Sequence, residues 1–159
     1  MELPNDGLTT EELNYIAGFF DGEGCAGICK QKKKSGYTSH AIYASVANSE
    51  VKVLNWLQQH FGGSVTVSKG PKPNHKDKCA WVIWSSLAGK FLYMIQPYLR
   101  MKDERVEVVL EFQRSQRAGI RPGQNRHSAR YTTDEISHRD FLMEKIHELN
   151  HRGKVETPI

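Results

Sequence analysis

The part of the sequence best equipped for chemistry is Tyr15-Ile16-Ala17-Gly18-Phe19-Phe20-Asp21-Gly22-Glu23-Gly24. Two carboxylates, Asp21 and Glu23, alternate with glycines at the end of an apolar run. Carboxylate and backbone carbonyl oxygens are hard donors. They suit a divalent ion such as Mg2+, which keeps waters and can bridge a phosphate. An EF-hand loop is excluded, because its later ligands and closing glutamate are missing. A plain turn is the non-catalytic account of Asp21-Gly22-Glu23-Gly24.

A second motif, His147-Glu148-Leu149-Asn150-His151, matches the H-E-x-x-H helix of zinc peptidases. Glu156 is the sole acid after it, too near the end of the sequence to complete a site of three protein ligands. A solvated helix is the better account, and a zinc metalloprotease is a remote alternative. The three cysteines, Cys25, Cys29 and Cys79, form no C-x-x-C pair, which argues against a disulfide framework or zinc ribbon and fits a reducing compartment.

These residues need elements to carry them. Thr9-Thr10-Glu11-Glu12 is a capping box, and Leu13, Ile16, Ala17 and Phe20 follow at helical spacing. Gly22 and Gly24 should end this helix at about Asp21. Residues 25–33 and 39–48 read as two strands around a turn at Lys34-Ser35-Gly36. Residues 50–61 form an amphipathic helix stopped by Gly62-Gly63. Strands follow at about 64–69 and 79–85, then a short helix over 87–95 broken by Pro97. A longer helix runs from near Lys102 to about Gln116. A basic loop spans 118–132, and a last helix starts at Thr133-Asp134-Glu135 and ends before Gly153. The order is an α+β αββαββα pattern: an antiparallel sheet with helices on one face, plus extra C-terminal helices. It is expected to form one domain over residues 1–159, with a core of about 9–117 and an appended loop and helix at 118–153.

Charge is segregated. Net charge is only +4, yet segment 24–49 carries +4, segment 64–86 carries +3 and segment 112–133 carries +5, leaving −8 for the rest. Such separation points to a polyanionic partner. No apolar run approaches a membrane span, so no membrane association is expected. The N-terminus lacks the basic and apolar regions of a secretory signal and is acidic, unlike a transit peptide, which places the protein in an intracellular compartment.

Ile16–Gly24 resembles the signature of LAGLIDADG homing endonucleases and the related intron maturases. Ala17, Gly18, Asp21, Gly22 and Gly24 match it; Ile16, Phe19 and Phe20 keep its apolar character; Glu23 replaces the second aspartate and keeps the carboxylate. The element order agrees over most of the chain, as does Pro97-Tyr98-Leu99-Arg100-Met101-Lys102 entering a helix. With one copy of the motif, the resemblance is to the homodimeric type, with its saddle-shaped sheet. It implies a mobile-intron endonuclease that cuts both strands of a long pseudo-palindromic duplex DNA site, using Mg2+ and leaving short 3′ overhangs. Mn2+ or Ca2+ can stand in for binding. The alternative is a non-cleaving relative such as a maturase, in which case RNA becomes a partner.

The resemblance implies Glu23 as the metal ligand, assisted by the Gly22 carbonyl. Asn48, at the end of the second strand, and Lys102 complete the catalytic set near the water and the scissile phosphate. Ala17, Gly18 and Asp21 would lie at the dimer interface, where small residues let a two-fold-related backbone come close. Asp21 either caps the helix junction or adds a metal ligand.

A β-ribbon fits the major groove, and by alternation and resemblance the sheet is laid there. Its DNA-facing residues would be Cys25, Gly27, Cys29, Gln31 and Lys33, then Ser39, Ala41, Tyr43 and Ser45. The third strand adds Ser64, Thr66 and Ser68, with Val65 and Val67 turned to the core. In the fourth, Cys79, Trp81 and Ile83 would face DNA while Ala80, Val82 and Trp84 pack inside. Gln31 and Lys33 read bases; Lys32, Lys34, Lys69, Lys72 and Lys76 meet phosphates.

Overall fold

The structure, a computed structural model, describes residues 7–32, 34, 36, 38–118 and 132–151. Lys33 and nearly all of the basic loop at 118–132 lie outside those residues.

The capping box forms as the sequence predicts. The Thr9 hydroxyl accepts the Glu12 N–H at 3.2 Å, and the Glu12 carboxylate takes the Thr9 N–H at 2.8 Å. It opens helix α1 (Thr10–Glu23), which runs two residues past the expected stop. Gly22 stays helical, and the chain turns extended only at Gly24, where strand β1 (Gly24–Lys32) begins. A side chain at Gly24 would collide with the ring of Phe20, so glycine is needed there for close packing.

Strand β2 (Thr38–Asn48) pairs antiparallel with β1, with Gly24 opposite Val46 and Gln31 opposite Ser39. Helix α2 (Val51–Phe61) buries Leu54, Leu57 and Phe61. It stops at Gly62 and Gly63, both at positive φ (77° and 85°), a conformation that costs glycine little. Strands β3 (Ser64–Ser68) and β4 (Lys78–Trp84) complete an antiparallel sheet of order β1-β2-β4-β3. Helices α3 (Ser85–Ile95), α4 (Asp103–Ala118) and α5 (Thr133–His151) follow, with a short 3-10 turn at Gln96–Tyr98 ahead of α4. The fold is therefore α+β with helices on one face of an antiparallel sheet.

The core lies between that face and the helices. Ala26, Ile42, Ala44, Val46, Trp81 and Ile83 point into it, against Phe20, Phe61, Phe91 and Phe112. Phe91 is its hub, with ring centroids 4.8 Å from Phe61, 5.0 Å from Trp81 and 5.6 Å from Phe20. Burying side chains of this size stabilises the fold by about 1.5–3 kcal/mol each.

The expected register of β4 is reversed. Trp81 is 0% exposed, and Cys79 and Ile83 are buried with it. Val46 sits opposite Trp81 and Ala44 opposite Ile83, and directly paired residues share a face. Because Val46 and Ala44 face the core, so do their partners. The Trp81 indole N–H donates to the Gly62 carbonyl at 2.8 Å, which satisfies its one polar atom away from water. Trp81 is therefore a core residue with no access to DNA. Ala80, Val82 and Trp84 take its place on the open face.

Helix α5 packs on α4 through Leu142, Ile146 and Leu149. Arg105 donates to the Leu149 carbonyl at 2.5 Å, and Arg139 to that of Ser115 at 3.2 Å. No helix among the described residues is long and apolar enough to cross a membrane.

Candidate active site and nucleic-acid face

The two acids of the glycine-rich helix end have different environments. Asp21 is 7% exposed and points into its own protomer. Its carboxylate accepts the backbone N–H of Arg100 at 2.8 Å, Met101 at 3.2 Å and Lys102 at 3.0 Å. These three donors lie in the segment that leads into α4, so the carboxylate satisfies them and stands just ahead of the helix N-terminus, where it complements the helix dipole. Glu23 is exposed, and its carboxylate makes no hydrogen bond among the described residues.

Lys102 is fastened between these acids. Its ammonium donates to the carbonyls of Phe20 at 3.0 Å and Gly24 at 2.6 Å, the last turn of α1, and lies 5.9 Å from the centre of the Phe20 ring. Burial, then the charge of Arg105, pushes its pKa below the usual lysine range; Asp21, Cys25 and Glu23 pull the other way. The pairing of Gly24 with Val46 brings the start of β1 and the end of β2 to one rim of the sheet. Asn48 therefore stands at the same rim as Gly22 and Glu23. Its Oδ1 accepts the Glu50 N–H at 2.8 Å, ahead of α2. The fold thus gathers Gly22, Glu23, Asn48 and Lys102 along the rim.

The oxygens on offer suit a hard divalent ion. They are the exposed Glu23 carboxylate and the Gly22 carbonyl in the last turn of α1, where helix carbonyls lack intrahelical partners. Among the described residues no three His, Cys, Asp or Glu side chains cluster to hold a metal. His147 and His151 are exposed on α5 with ring centroids 4.2 Å apart, and no third such ligand among the described residues joins them; Glu156 lies outside those residues.

Helix α1 also has an outward face. Gly18 and Gly22 are exposed, and a Cβ at either would meet nothing within 4 Å. Tyr15, 57% exposed, lies on the same side and packs edge-on against Trp56. Ala17 and Asp21 do not belong to this face. Ala17 is 0% exposed, and both residues sit a third of a turn away, inside the protomer. As contact residues for a partner they are corrected to interior ones, leaving Gly18 and Gly22 outside.

The open face of the sheet follows from the register. From β1 and β2 it carries Cys25, Gly27, Cys29 and Gln31 beside Ser45, Tyr43, Ala41 and Ser39. From β3 and β4 it carries Ser64, Thr66 and Ser68 beside Val82, Ala80 and Lys78. Gln31, Lys32, Lys34, Thr66, Ser68, Lys69 and Lys72 are exposed; Cys29, Ser39, Ala41, Tyr43 and Ser45 are half-buried. The β1–β2 turn and the β3–β4 loop project from opposite ends of the sheet, and each is lysine-bearing. The Gly70 N–H donates to Asp77 at 3.3 Å across the base of the second loop.

Tyr43 dominates the middle of that face. Its ring lies over Gly27, where a Cβ would come within 2.8 Å of the hydroxyl, and packs against Trp84 at 5.4 Å. The Cys25 thiol is 3.9 Å from the hydroxyl. Burial first, then Cys25, pushes the phenol pKa up to about 12, so it stays neutral. Sequence reasoning missed Ala80, Val82 and Trp84. The strand Lys78-Cys79-Ala80-Trp81-Val82-Ile83-Trp84 is apolar on both faces, and only its pairing with β2 tells them apart.

A family model described as LAGLIDADG endonuclease matches residues 16–99. No curated protein sequence matches the chain. Among solved structures, the archaeal intron-encoded homing endonuclease I-Vdi141I complexed with DNA aligns at TM-score 0.68 and 15% identity, over 93% of this chain and 89% of that one. The homing endonuclease I-CvuI, in complex with the I-CreI target in the presence of magnesium and with the DNA not cleaved, aligns at TM-score 0.66 and 18% identity, over 94% and 87%. The meganuclease I-SmaMI bound to uncleavable DNA aligns at TM-score 0.64 and 14% identity, over 84% of this chain but 44% of its own. At such identities the likeness is one of fold.

Proposed function

The chain belongs to the LAGLIDADG endonuclease family, and from that premise we propose that it is a site-specific DNA endonuclease acting as a homodimer. In this reading it hydrolyses one phosphodiester in each strand of a long pseudo-palindromic site, with a divalent metal. The reading includes a mobile-intron context; I-Vdi141I is intron-encoded.

The observation that carries it is the division of labour between two neighbouring acids. Asp21 is consumed by three backbone N–H groups, whereas Glu23 is exposed and unspent beside a half-buried Lys102. An uncommitted carboxylate next to a fastened ammonium suits phosphate chemistry better than it suits stability. One protomer supplies one such carboxylate, and a two-fold axis along the Gly18 and Gly22 face would bring a second beside it.

Glu23 and the Gly22 carbonyl would hold the ion. Mg2+, when bound, lowers the pKa of a coordinated water and offsets charge on the phosphate. Lys102 keeps a positive charge fixed between the Phe20 and Gly24 carbonyls, where it can offset negative charge growing on phosphate oxygens. Asp21 holds the backbone that carries Lys102. The Asn48 amide nitrogen, which has no partner among the described residues, would orient water, its oxygen being used by the Glu50 N–H. Lysines at both ends of the sheet face would bind duplex backbone, and its groove-facing side chains would read bases.

The test starts from a randomised duplex library incubated with protein and Mg2+, with the cut ends sequenced. Recurrent cutting at one pseudo-palindromic sequence is expected. Chelation should stop cutting, and Ca2+ should restore binding. The Glu23→Gln variant should bind the recovered site with unchanged affinity and leave it uncut. A Glu23→Gln variant that still cuts removes this residue from the mechanism.

A further inference from the structure

The middle of the open sheet face is largely apolar, with the hydroxyls of Ser45 and Ser64 set on either side of Val82. Ala41, Tyr43, Ala80, Val82 and Trp84 lie together there across β2 and β4. Trp84 is 43% exposed, Ala41, Tyr43, Ala80 and Val82 are half-buried, and Gly27 leaves room for the Tyr43 ring to lie across β1. The Tyr43 hydroxyl is turned to the Cys25 thiol. Thr66 directs its own hydroxyl to the Ala80 carbonyl at 3.5 Å. Charge is confined to the two ends: Lys32 and Lys34 beside Gln31 at one, Lys69, Lys72 and Lys78 beside Ser68 at the other.

A contiguous apolar patch on a protein surface calls for a cover. Here lysines stand at both ends of it, so the occupant is a polyanion that spans the sheet and is itself apolar where it meets the middle. Duplex DNA in the major groove meets that description at one kind of base pair. Thymine presents a C5-methyl group in the groove beside its O4 acceptor, whereas guanine, cytosine and adenine set only polar donors and acceptors against Val82 and Trp84.

We propose that the patch of Ala41, Tyr43, Ala80, Val82 and Trp84 selects thymines by their methyl groups, making the middle of each half-site T-rich on the strand it faces. This rests on the endonuclease reading above. The polar ends of the sheet contribute directional readout of the flanking pairs, and the patch contributes discrimination by shape and desolvation. Every base edge loses hydrogen bonds with water against the patch, and only thymine has a methyl whose burial offsets that loss.

Deoxyuridine provides the test, because it pairs as thymine does and lacks only the methyl. Binding of the full chain is measured in Ca2+ on a duplex site selected by binding alone, with each thymine replaced singly by deoxyuridine. Affinity should fall roughly fourfold at two or more adjacent mid-half-site positions, the worth of one buried methyl. The Val82→Ser variant should lose that penalty at one of those positions and keep its affinity for flanking substitutions. Replacing cytosine by 5-methylcytosine at a tolerated neighbouring position should strengthen binding. Uniform indifference to deoxyuridine, or a penalty that survives unchanged in both Val82→Ser and Trp84→Ala, overturns the proposal. Failure to cut while the methyl-dependent binding persists overturns only the endonuclease reading; failure to bind any duplex overturns both.

Discussion

At the scale of single residues, Asp21 and Glu23 have similar chemistry and should respond to mutation in opposite ways. Asp21→Ala strands three backbone N–H groups that the carboxylate now satisfies, so it should destabilise the protein by about 3 kcal/mol. It also releases the segment that holds Lys102, so cutting should fall together with thermal stability. Glu23→Gln removes an exposed charge and should change stability by less than about 0.5 kcal/mol, while cutting falls by about a thousandfold or more. Chemical denaturation and single-turnover cleavage on the same two variants check the contrast; equal stability losses would remove it. The sequence displayed both acids but not their directions. Asp21 and Ala17 are one helical turn apart and face inward together, as Gly18 and Gly22 face outward together. Which stripe met the core depended on what α1 packs against, namely the backbone at 100–102, which lies some eighty residues away in the chain.

At the scale of elements, order was legible wherever one face was apolar and the other was not. Strand β2 alternates cleanly, with Ile42, Ala44 and Val46 inside, and α2 shows its Leu54, Leu57 and Phe61 stripe. Strand β4 carries Trp81 on one face and Trp84 on the other, so its hydrophobic pattern has no period to read. The end of α1 was misjudged because an exposed glycine can remain helical when the following glycine supplies the turn. One junction between elements has a pH signature. The His40 ring on β2 packs against Phe112 of α4 at 5.8 Å, and the Gln116 side chain donates to the His40 carbonyl at 2.8 Å. Burial, then the charges of Lys30 and Arg139, lowers the His40 pKa below 6.5, with Asp140 opposing. A histidine of lowered pKa takes its proton more readily in the unfolded chain than in the fold. Its contribution is therefore complete above the ordinary value and is lost as the pH falls through it toward the folded value. The melting temperature should drop between pH 7 and pH 5, and His40→Phe should flatten part of that drop. A His40→Phe curve parallel to the wild type would remove this junction as a source of acid sensitivity.

At the scale of the whole molecule, the proposed reading has the protomer supply half of what the reaction needs: one exposed carboxylate, one fastened lysine and one sheet face for DNA. On that reading two cuts require two such halves, and the outward stripe of α1 at Gly18 and Gly22 is where they would meet. For the isolated protomer those glycines do nothing favourable. Neither has a neighbour within 4 Å of its would-be Cβ, neither has a positive φ, and glycine inside a helix costs about 0.5–1 kcal/mol relative to alanine. A lone protomer should therefore be stabilised by Gly18→Ala, by about that amount, and should accommodate Gly18→Leu without loss. A protomer that closes on a second copy along this stripe meets each added side chain twice, once per subunit. With about 1–3 kcal/mol of overpacking at each contact, Gly18→Leu should cut activity by on the order of a hundredfold and shift the protein toward monomer. Sedimentation at micromolar concentration, with and without target DNA, reads the assembly; denaturation below the dimer's dissociation constant reads the protomer. If Gly18→Leu stays dimeric and cuts at the normal rate, the two-fold axis lies elsewhere on the molecule. If it is monomeric, folded and inactive, the exposed glycines are explained as the surface that brings two Glu23 carboxylates to one scissile region.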